Sequence, residues 1–373
     1  MHAHRGGALI PYAFISHQSA CEALRLKGVV GVEWPRESRN LPWSGECIRL
    51  QRDLKRLAES TDLVALGLVS RPIDVLVPTS LMRTRGKWAR THGWAFPLPR
   101  GSMRRVASNV AISTPEFVVL QLAHRHVMRR AAVDRSVDDY LARREALSEM
   151  GIDAEPPLED LVTWERCRHL VAVARVAMEF AGTYRLPAPH EGTRYKQPRL
   201  SSIQAMLEFL DGGDARCLGM LADVIRARDA LTLAADNSAS PMETALFLLL
   251  TLPVEMGGFG LPRPVLNKTV GVDGKDGLTP DLLWEDAGLA IEYESLEFHA
   301  RAGRDRTDHD VMRENELVTA GYRVLVAVPG VVLDLSRLTR LAEQIALLLG
   351  VRLTEPAPDQ LMLRERLHSE LVS

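Results

Sequence analysis

Residues 279–299, TPDLLWEDAGLAIEYESLEFH, constrain the fold more than any other part of the chain. Two short apolar runs flank Glu-Asp-Ala-Gly, which predicts a β-hairpin with its turn at 285–288. Pairing Trp284 with Leu289 across this turn sets the register of the two strands. Strict alternation then predicts one apolar face for the core, made of Leu282, Trp284, Leu289, Ile291 and Tyr293.

The opposite face of the predicted hairpin is acidic. In the same register Asp281 lies opposite Glu292, and Glu294 shares their face. Like charges that face each other destabilise a β-ladder, and a divalent cation bound by oxygen ligands would offset this. The alternative is a solvated face whose charge is neutralised by flanking arginines.

The segments around the hairpin predict a small α/β domain. Helical periodicity, caps and apolar strand patterns follow each other in the order α-β-β-α-β-α across 240–350. The segments besides the hairpin are helices at 240–250, 310–320 and 335–350 and a strand at 322–328.

Upstream, the pattern is mixed and then mainly helical. The N-terminal part predicts a helix within 13–28, with Ser16 or Ser19 as its N-cap and Gly28 as its stop, and a helix within 113–131 with Thr114 as its N-cap. It also predicts strands at 62–70 and 73–78. The middle predicts a helix at 164–181 and a helix pair within 202–234 that is broken at Gly212-Gly213. We therefore predict an α/β protein with an α+β N-terminal part, a helical middle and a C-terminal α/β domain with a mixed central sheet. The predicted regions are 1–133, 134–236, 237–352 and a tail helix in 353–373.

Composition limits the classes of function. The formal net charge is −2, so the whole chain has no general attraction for polyanions. Its four cysteines are not spaced as CxxC, which argues against a zinc site and fits a reducing compartment. The N-terminus lacks the apolar core of a signal peptide, and no run of 18 apolar residues occurs. We expect a cytoplasmic protein without a membrane partner.

The hairpin, together with DVMRENELVTAGYRVLVAV at 310–328, resembles the PD-(D/E)XK nuclease superfamily. The similarity is to the branch of very-short-patch-repair endonucleases, and it covers roughly 240–350. SPMETAL at 240–246 and LPRPVLN at 261–267 also resemble that branch. The resemblance implies a restriction-endonuclease-like fold and a Mg²⁺- or Mn²⁺-dependent endonuclease.

The resemblance also implies roles for particular residues. Asp281, Glu292 and Glu294 would bind the metal ion, with Glu294 where the branch usually has Asp. No Lys follows Lys275, so His299 is the nearest proton carrier, or else an ordinary polar residue at a strand end. Glu243 matches the helical Glu of the branch, although Ser240-Pro-Met-Glu243 is also a capping box that would account for it.

A second candidate site is the basic segment, residues 83–105, a predicted loop that holds seven Lys or Arg and no acidic residue. Interleaved tryptophans suggest phosphate contacts combined with base stacking. The alternative is an arginine-rich surface anchored by its tryptophans. The predicted nucleic-acid-binding residues are Arg83, Arg85, Lys87, Trp88, Arg90, Arg100 and, downstream, Arg313.

AFISHQSA, IDVLVP, RGKWARTHGW and ISTPEFVVLQLA, all within 13–130, resemble the AbiEi-type antitoxin and regulator proteins of bacteria. The two resemblances lead to two expectations. The first is a Mg²⁺-dependent DNA endonuclease. The second is a catalytically inert, nucleic-acid-binding regulator of a defence or toxin–antitoxin system. DNA is the expected partner, and a protein partner or a homodimer remains open.

Overall fold

The computed structural model describes residues 12–34, 36–37, 39–41, 51–79, 82, 85–124, 158–186, 191–212, 221–272, 275–294 and 315–372. The chain divides into two compact units. The N-terminal unit comprises Met1–Arg125, Arg185–Arg194 and Arg199–Thr232, and the C-terminal unit comprises His126–Tyr184, Tyr195–Pro198 and Leu233–Ser373.

Helices and strands both contribute to each unit, which confirms the predicted α/β class. The described helices are α1 (His17–Lys27), α2 (Gln51–Ser60), α3 (Pro115–Ala123), α4 (Leu158–Ala181), α5 (Ile203–Asp211), α6 (Leu221–Leu233), α7 (Pro241–Thr251), α8 (Pro329–Val332), α9 (Leu335–Leu349) and α10 (Pro358–Val372). The described strands are β1 (Ala13–Ile15), β2 (Val32–Trp34), β3 (Ile73–Val77), β4 (Ala89–Gly93), β5 (Met103–Ala107), β6 (Val110–Ser113), β7 (Val265–Leu266), β8 (Val270–Val272), β9 (Lys275–Leu278), β10 (Leu282–Trp284), β11 (Leu289–Tyr293) and β12 (Arg323–Ala327). Residues 315–319 add a short helical segment.

The N-terminal unit is built on a mixed sheet with the strand order β2-β5-β6-β1-β3-β4. Strand β1 runs parallel to β6 and antiparallel to β3, and β3 runs parallel to β4. Every residue of β1 and β3 is buried, so the centre of the sheet is covered on both faces. Asp74 is therefore a charged residue inside a core strand.

Helix α1 ends where the sequence predicts, and it begins at the first of the two predicted N-cap positions. Ser16 is its N-cap, and Gly28, with φ of 74°, follows its last residue and donates its N–H to Leu24 O. Helix α3 likewise begins at Pro115 after the N-cap Thr114. The predicted continuation of α3 beyond residue 124 lies outside the described residues.

Two N-terminal predictions are wrong. Residues 62–70 do not form a strand, because 63–67 form a turn whose Leu63 and Leu68 are buried. Residues 83–105 are not one loop either, since 89–93 form β4 and β5 begins at Met103. Strand β4 pairs along β3 over five residues, which gives this basic segment a place in the sheet.

The C-terminal unit contains a second mixed sheet, with the order β12-β11-β10-β7. Strand β11 is antiparallel to β10 and parallel to β12, and β10 is antiparallel to β7. This agrees with the mixed central sheet predicted for the region. The sequence did not predict the hairpin β8–β9 or the short β7, and the tail helix α10 is fifteen residues long rather than short.

Helix α10 is anchored to the C-terminal unit by polar contacts as well as by apolar ones. The buried Arg364 donates to Gly258 O at 2.9 Å, and its guanidinium lies 4.2 Å from the centre of the Phe259 ring. His368 Nε2 lies 2.8 Å from Val332 O. The tail is therefore an integral part of this unit.

Candidate active site: the acidic end of a β-hairpin

The hairpin has the predicted register. Leu282 pairs with Ile291, and Trp284 pairs with Leu289. A short 3₁₀ turn at Glu285–Ala287 joins the strands, and Gly288 follows it in the left-handed conformation at φ 55°. Continuing the register by one residue places Asp281 opposite Glu292, as the sequence predicts.

The acidic face is not simply solvated, because its first half belongs to a core. Leu283 and Ala290 share the face of Asp281 and Glu292, yet both are fully buried. They pack in a cluster with Val270 and Leu278 of the β8–β9 hairpin and with Leu317. The carboxylates therefore lie at the point where this core ends, and the hairpin is apolar on both faces nearer its turn.

Asp281 is held by the backbone on both sides. Its Oδ2 accepts a hydrogen bond from Tyr293 N at 2.7 Å, just beyond the last backbone pair of the two strands. Its carbonyl accepts from Asn267 N at 3.1 Å. Glu292 and Glu294 follow on β11 and just after it, both half-buried, and Oε1 of Glu292 is buried.

Glu243 belongs to the same site. Ser240 Oγ accepts from Glu243 N at 3.0 Å, which confirms the predicted cap of α7. The carboxyl Oε2 accepts from Ala239 N at 2.8 Å and from Asn267 Nδ2 at 2.6 Å. Burial, and then the negative charge of Asp281, raise the pKa of Glu243 to about 8. A capping role and a place beside Asp281 therefore coexist in one residue.

Asn267 is the site residue that sequence analysis missed. It follows β7 directly with a positive φ of 46°, a conformation that Asn tolerates better than most residues. Its amide also donates to Asn237 O at 2.9 Å, so it joins Asn237, Glu243 and Asp281 through three hydrogen bonds. The only available signal was its position within LPRPVLN.

The donor chemistry suits a hard divalent cation. Mg²⁺ is commonly held by one or two carboxylates, with water and substrate phosphate completing the shell. Asp281 and Glu292 can supply such a pair. Within the part of the chain that the structure describes, no three His, Cys, Asp or Glu side chains are grouped so that they could hold a metal ion together. His299 lies outside the described residues.

The basic segment divides into an exposed part and a part tied to the sheet. Arg85 and Lys87 are exposed, and the Arg100 side chain is 74% exposed and 3.9 Å from Glu33. Arg90, by contrast, lies on β4 with its Nε 2.7 Å from Asp74 Oδ1. Arg83 and Arg313 lie outside the described residues.

The tryptophans of this segment contact the protein. The guanidinium of Arg71 lies 5.7 Å from the centre of the half-buried Trp88 ring. Trp94 is buried and meets Phe117 edge-to-face, with ring centres 4.9 Å apart. At least Trp94 therefore anchors the segment to the core.

Comparison with known proteins gives two partial matches. The chain is 35% identical over 124 residues to "Uncharacterized protein MT2308" of Mycobacterium tuberculosis strain CDC 1551 / Oshkosh. It has the same identity over the same length to "Uncharacterized protein Rv2248" of strain H37Rv. Each match covers 33% of this chain and 42% of the relative, so the chain spans about two fifths of the curated relatives it matches. No family model and no solved structure matches the chain.

Among the described helices, none combines the length and the apolar character needed to cross a lipid bilayer.

Proposed function

We propose that this protein is a metal-dependent endonuclease that hydrolyses phosphodiester bonds in DNA at the acidic end of the β10–β11 hairpin. The observation that carries the proposal is the convergence of Asp281 and Glu292 on one face of a mixed sheet, with Glu243 beside Asp281. The Asp281–Glu292 pair lies where an apolar core ends. This arrangement has a cost in charge repulsion, which a bound cation would offset.

Each residue has a task that its contacts support. Asp281, oriented by Tyr293 N, and Glu292 would bind Mg²⁺ or Mn²⁺, and Glu294 stands next along the same face. The ion would polarise the scissile phosphate and lower the pKa of a bound water. Asn267 orients Glu243 and the backbone of Asp281.

Glu243 holds a proton in the metal-free protein. A pKa of about 8 leaves its carboxyl mostly neutral at pH 7. Since Oε2 accepts two N–H groups, the proton resides on Oε1. A cation bound nearby favours the carboxylate, so metal binding at neutral pH releases this proton.

The test is cleavage of supercoiled plasmid DNA by the full chain with Mg²⁺ or Mn²⁺. Asp281→Asn retains an acceptor for Tyr293 N, and Glu292→Gln retains the shape of the side chain. We expect either change to lower the cleavage rate more than about a hundredfold, because changes outside the ligand shell alone cost 10–100-fold. Asp286→Asn, in the exposed turn of the same hairpin, is the matched control and should cleave at the wild-type rate.

Absence of cleavage with both metals, together with no thermal shift on adding them, would contradict the nuclease proposal. If the protein then still binds DNA, the function becomes that of a nucleic-acid-binding regulator. The exposed Arg85, Lys87 and Arg100 favour this second candidate, because their charges are available to phosphates whether or not the hairpin is catalytic.

A further inference from the structure

A polar pocket lies within the N-terminal unit, away from the acidic hairpin in sequence. Its volume is about 280 Å³. Helix α1 supplies Gln18, Ser19, Glu22 and Arg25 to its walls. The other lining residues come from 70–74, from β4 and from a single position after α4: Ser70, Arg71, Pro72, Asp74, Arg90 and Leu186.

The two acidic side chains of the pocket are engaged by the protein itself. Glu22 accepts from Ser70 Oγ at 2.5 Å and from Ser70 N at 3.1 and 3.2 Å. Asp74, 1% exposed, has Arg90 Nε at 2.7 Å and His92 Nε2 at 2.8 Å from its Oδ1. Both carboxylates already have partners within the protein, so the pocket is not suited to a cationic ligand.

The arginines outnumber these carboxylates, and two of them are held in place. Arg71 Nη1 donates to Leu68 O and Ser70 O, both at 3.0 Å, and its guanidinium lies by the Trp88 ring. Arg90 is held by Asp74. Together with Arg25, they place three arginines around the pocket. The formal charge of the three arginines exceeds that of the two carboxylates by one.

A second layer of side chains keeps the floor of the pocket rigid. Asp74 N donates to Ser19 Oγ of helix α1 at 2.9 Å. Behind Asp74, the rings of His92 and His17 stack with centres 3.8 Å apart and an 18° tilt. Both histidines are buried, so the anchor of Arg90 is itself packed on all sides.

We propose that this pocket binds a phosphate monoester, either free or at the 5′ end of a nucleic-acid strand. Guanidinium forks match phosphate oxygens, and three of them suit a dianion better than a single carboxylate. The volume lies near the lower end of the range for small-molecule sites, about 300–1,000 Å³, so the ligand is small. Pro72 and Leu186 add apolar wall for the organic part of the ester.

The experiment is isothermal titration of the full chain with adenosine 5′-monophosphate and with adenosine, near physiological salt. The monophosphate should bind at least about tenfold more tightly than adenosine. Arg25→Gln and Arg71→Gln should each weaken the monophosphate by about tenfold, the loss expected for one charge-assisted contact. Arg56→Gln removes the same charge from an exposed position of the same unit and should change nothing.

Two further arms separate the source of the phosphate and the location of the site. Free-ester binding predicts that adenosine monophosphate binds at least as well as a 5′-phosphorylated oligonucleotide, and strand-end binding predicts the reverse. Asp281→Asn should bind the monophosphate like the wild type, so a failed nuclease assay leaves this proposal standing. Equal affinity for adenosine, equal loss in Arg56→Gln, or loss in Asp281→Asn but not in Arg25→Gln would overturn it.

Discussion

At the scale of single residues, Glu243 connects helix capping with the candidate site. Its position in the sequence is compatible with capping and with metal ligation. In the structure its N–H completes the cap with Ser240, while its side chain is buried close to Asp281. Nearly all of its carboxyl is removed from water, with two N–H groups satisfying one oxygen. Burial and the neighbouring charge together make this carboxyl a proton carrier near neutral pH.

Glu243 should make stability depend on pH in a defined window. Its folded-state pKa of about 8 lies above the ordinary value of 4.5, so the folded protein binds the proton more tightly than the unfolded chain. This contribution is complete below pH 4.5 and is lost as the pH rises towards 8. Glu243→Gln should therefore match the wild type near pH 4.5 and be more stable at pH 8, by on the order of a few kcal/mol.

The measurement is urea unfolding of both proteins across pH 4.5–8.5 without metal. Glu255→Gln, an exposed site in the same unit, is the matched control and should follow the wild type. A constant difference between Glu243→Gln and the wild type at every pH would mean that the raised pKa is wrong.

At the scale of elements, caps and turns explain why some segments form as predicted. Ser240 and Pro241 begin α7, and the rest of that helix is buried from Glu243 to Leu250. The strand predicted at 62–70 does not form, because residues 63–67 form a turn. Gly67, at φ 81°, lies in that turn close to helix α1. A Cβ atom at this position would be 3.0 Å from Ala23 Cα. That close approach to α1 is invisible in a local apolar pattern.

The cap of α7 makes an element-scale prediction. Ser240→Ala removes the acceptor of Glu243 N and should lower the free energy of unfolding by about 1 kcal/mol, within the usual range of about 0.5–2. Ser240→Thr keeps a hydroxyl acceptor and should lose much less. Thermal and urea unfolding measure both. An alanine variant as stable as the wild type would show that the Ser240 hydroxyl contributes nothing to the helix start.

At the scale of the whole molecule, charge is segregated although the net charge is only −2. The exposed Arg85 and Lys87 project from a unit whose Arg90 is committed to Asp74. Arg85 and Lys87 precede β4 and belong to the predicted nucleic-acid-binding residues. If the basic segment contacts duplex DNA, these two exposed side chains meet phosphates. Arg90 then belongs to the pocket rather than to the exposed surface.

The salt dependence of DNA binding tests this division. Each phosphate contact contributes roughly −0.9 to the slope of log affinity against log salt. Arg85→Gln combined with Lys87→Gln should flatten the slope by about two units and weaken all sequences alike. Arg340→Gln combined with Arg352→Gln removes the same charge from exposed positions elsewhere and should leave the slope unchanged. Equal slopes in wild type and the Arg85/Lys87 variant would contradict the phosphate contacts.

The sequence by itself determined the hairpin register, the helix starts at Thr114 and Ser240, and the α/β class. These features follow from local rules: side-chain alternation, turn length and capping act over a few residues. Tertiary structure alone decided which distant residues meet. Asn267 reaches Glu243 and Asp281 because β7 pairs with β10, and Asp74 meets Arg90 because β3 pairs with β4. Strand pairing over long sequence separations is driven by burial of both sheet faces, which no short segment records.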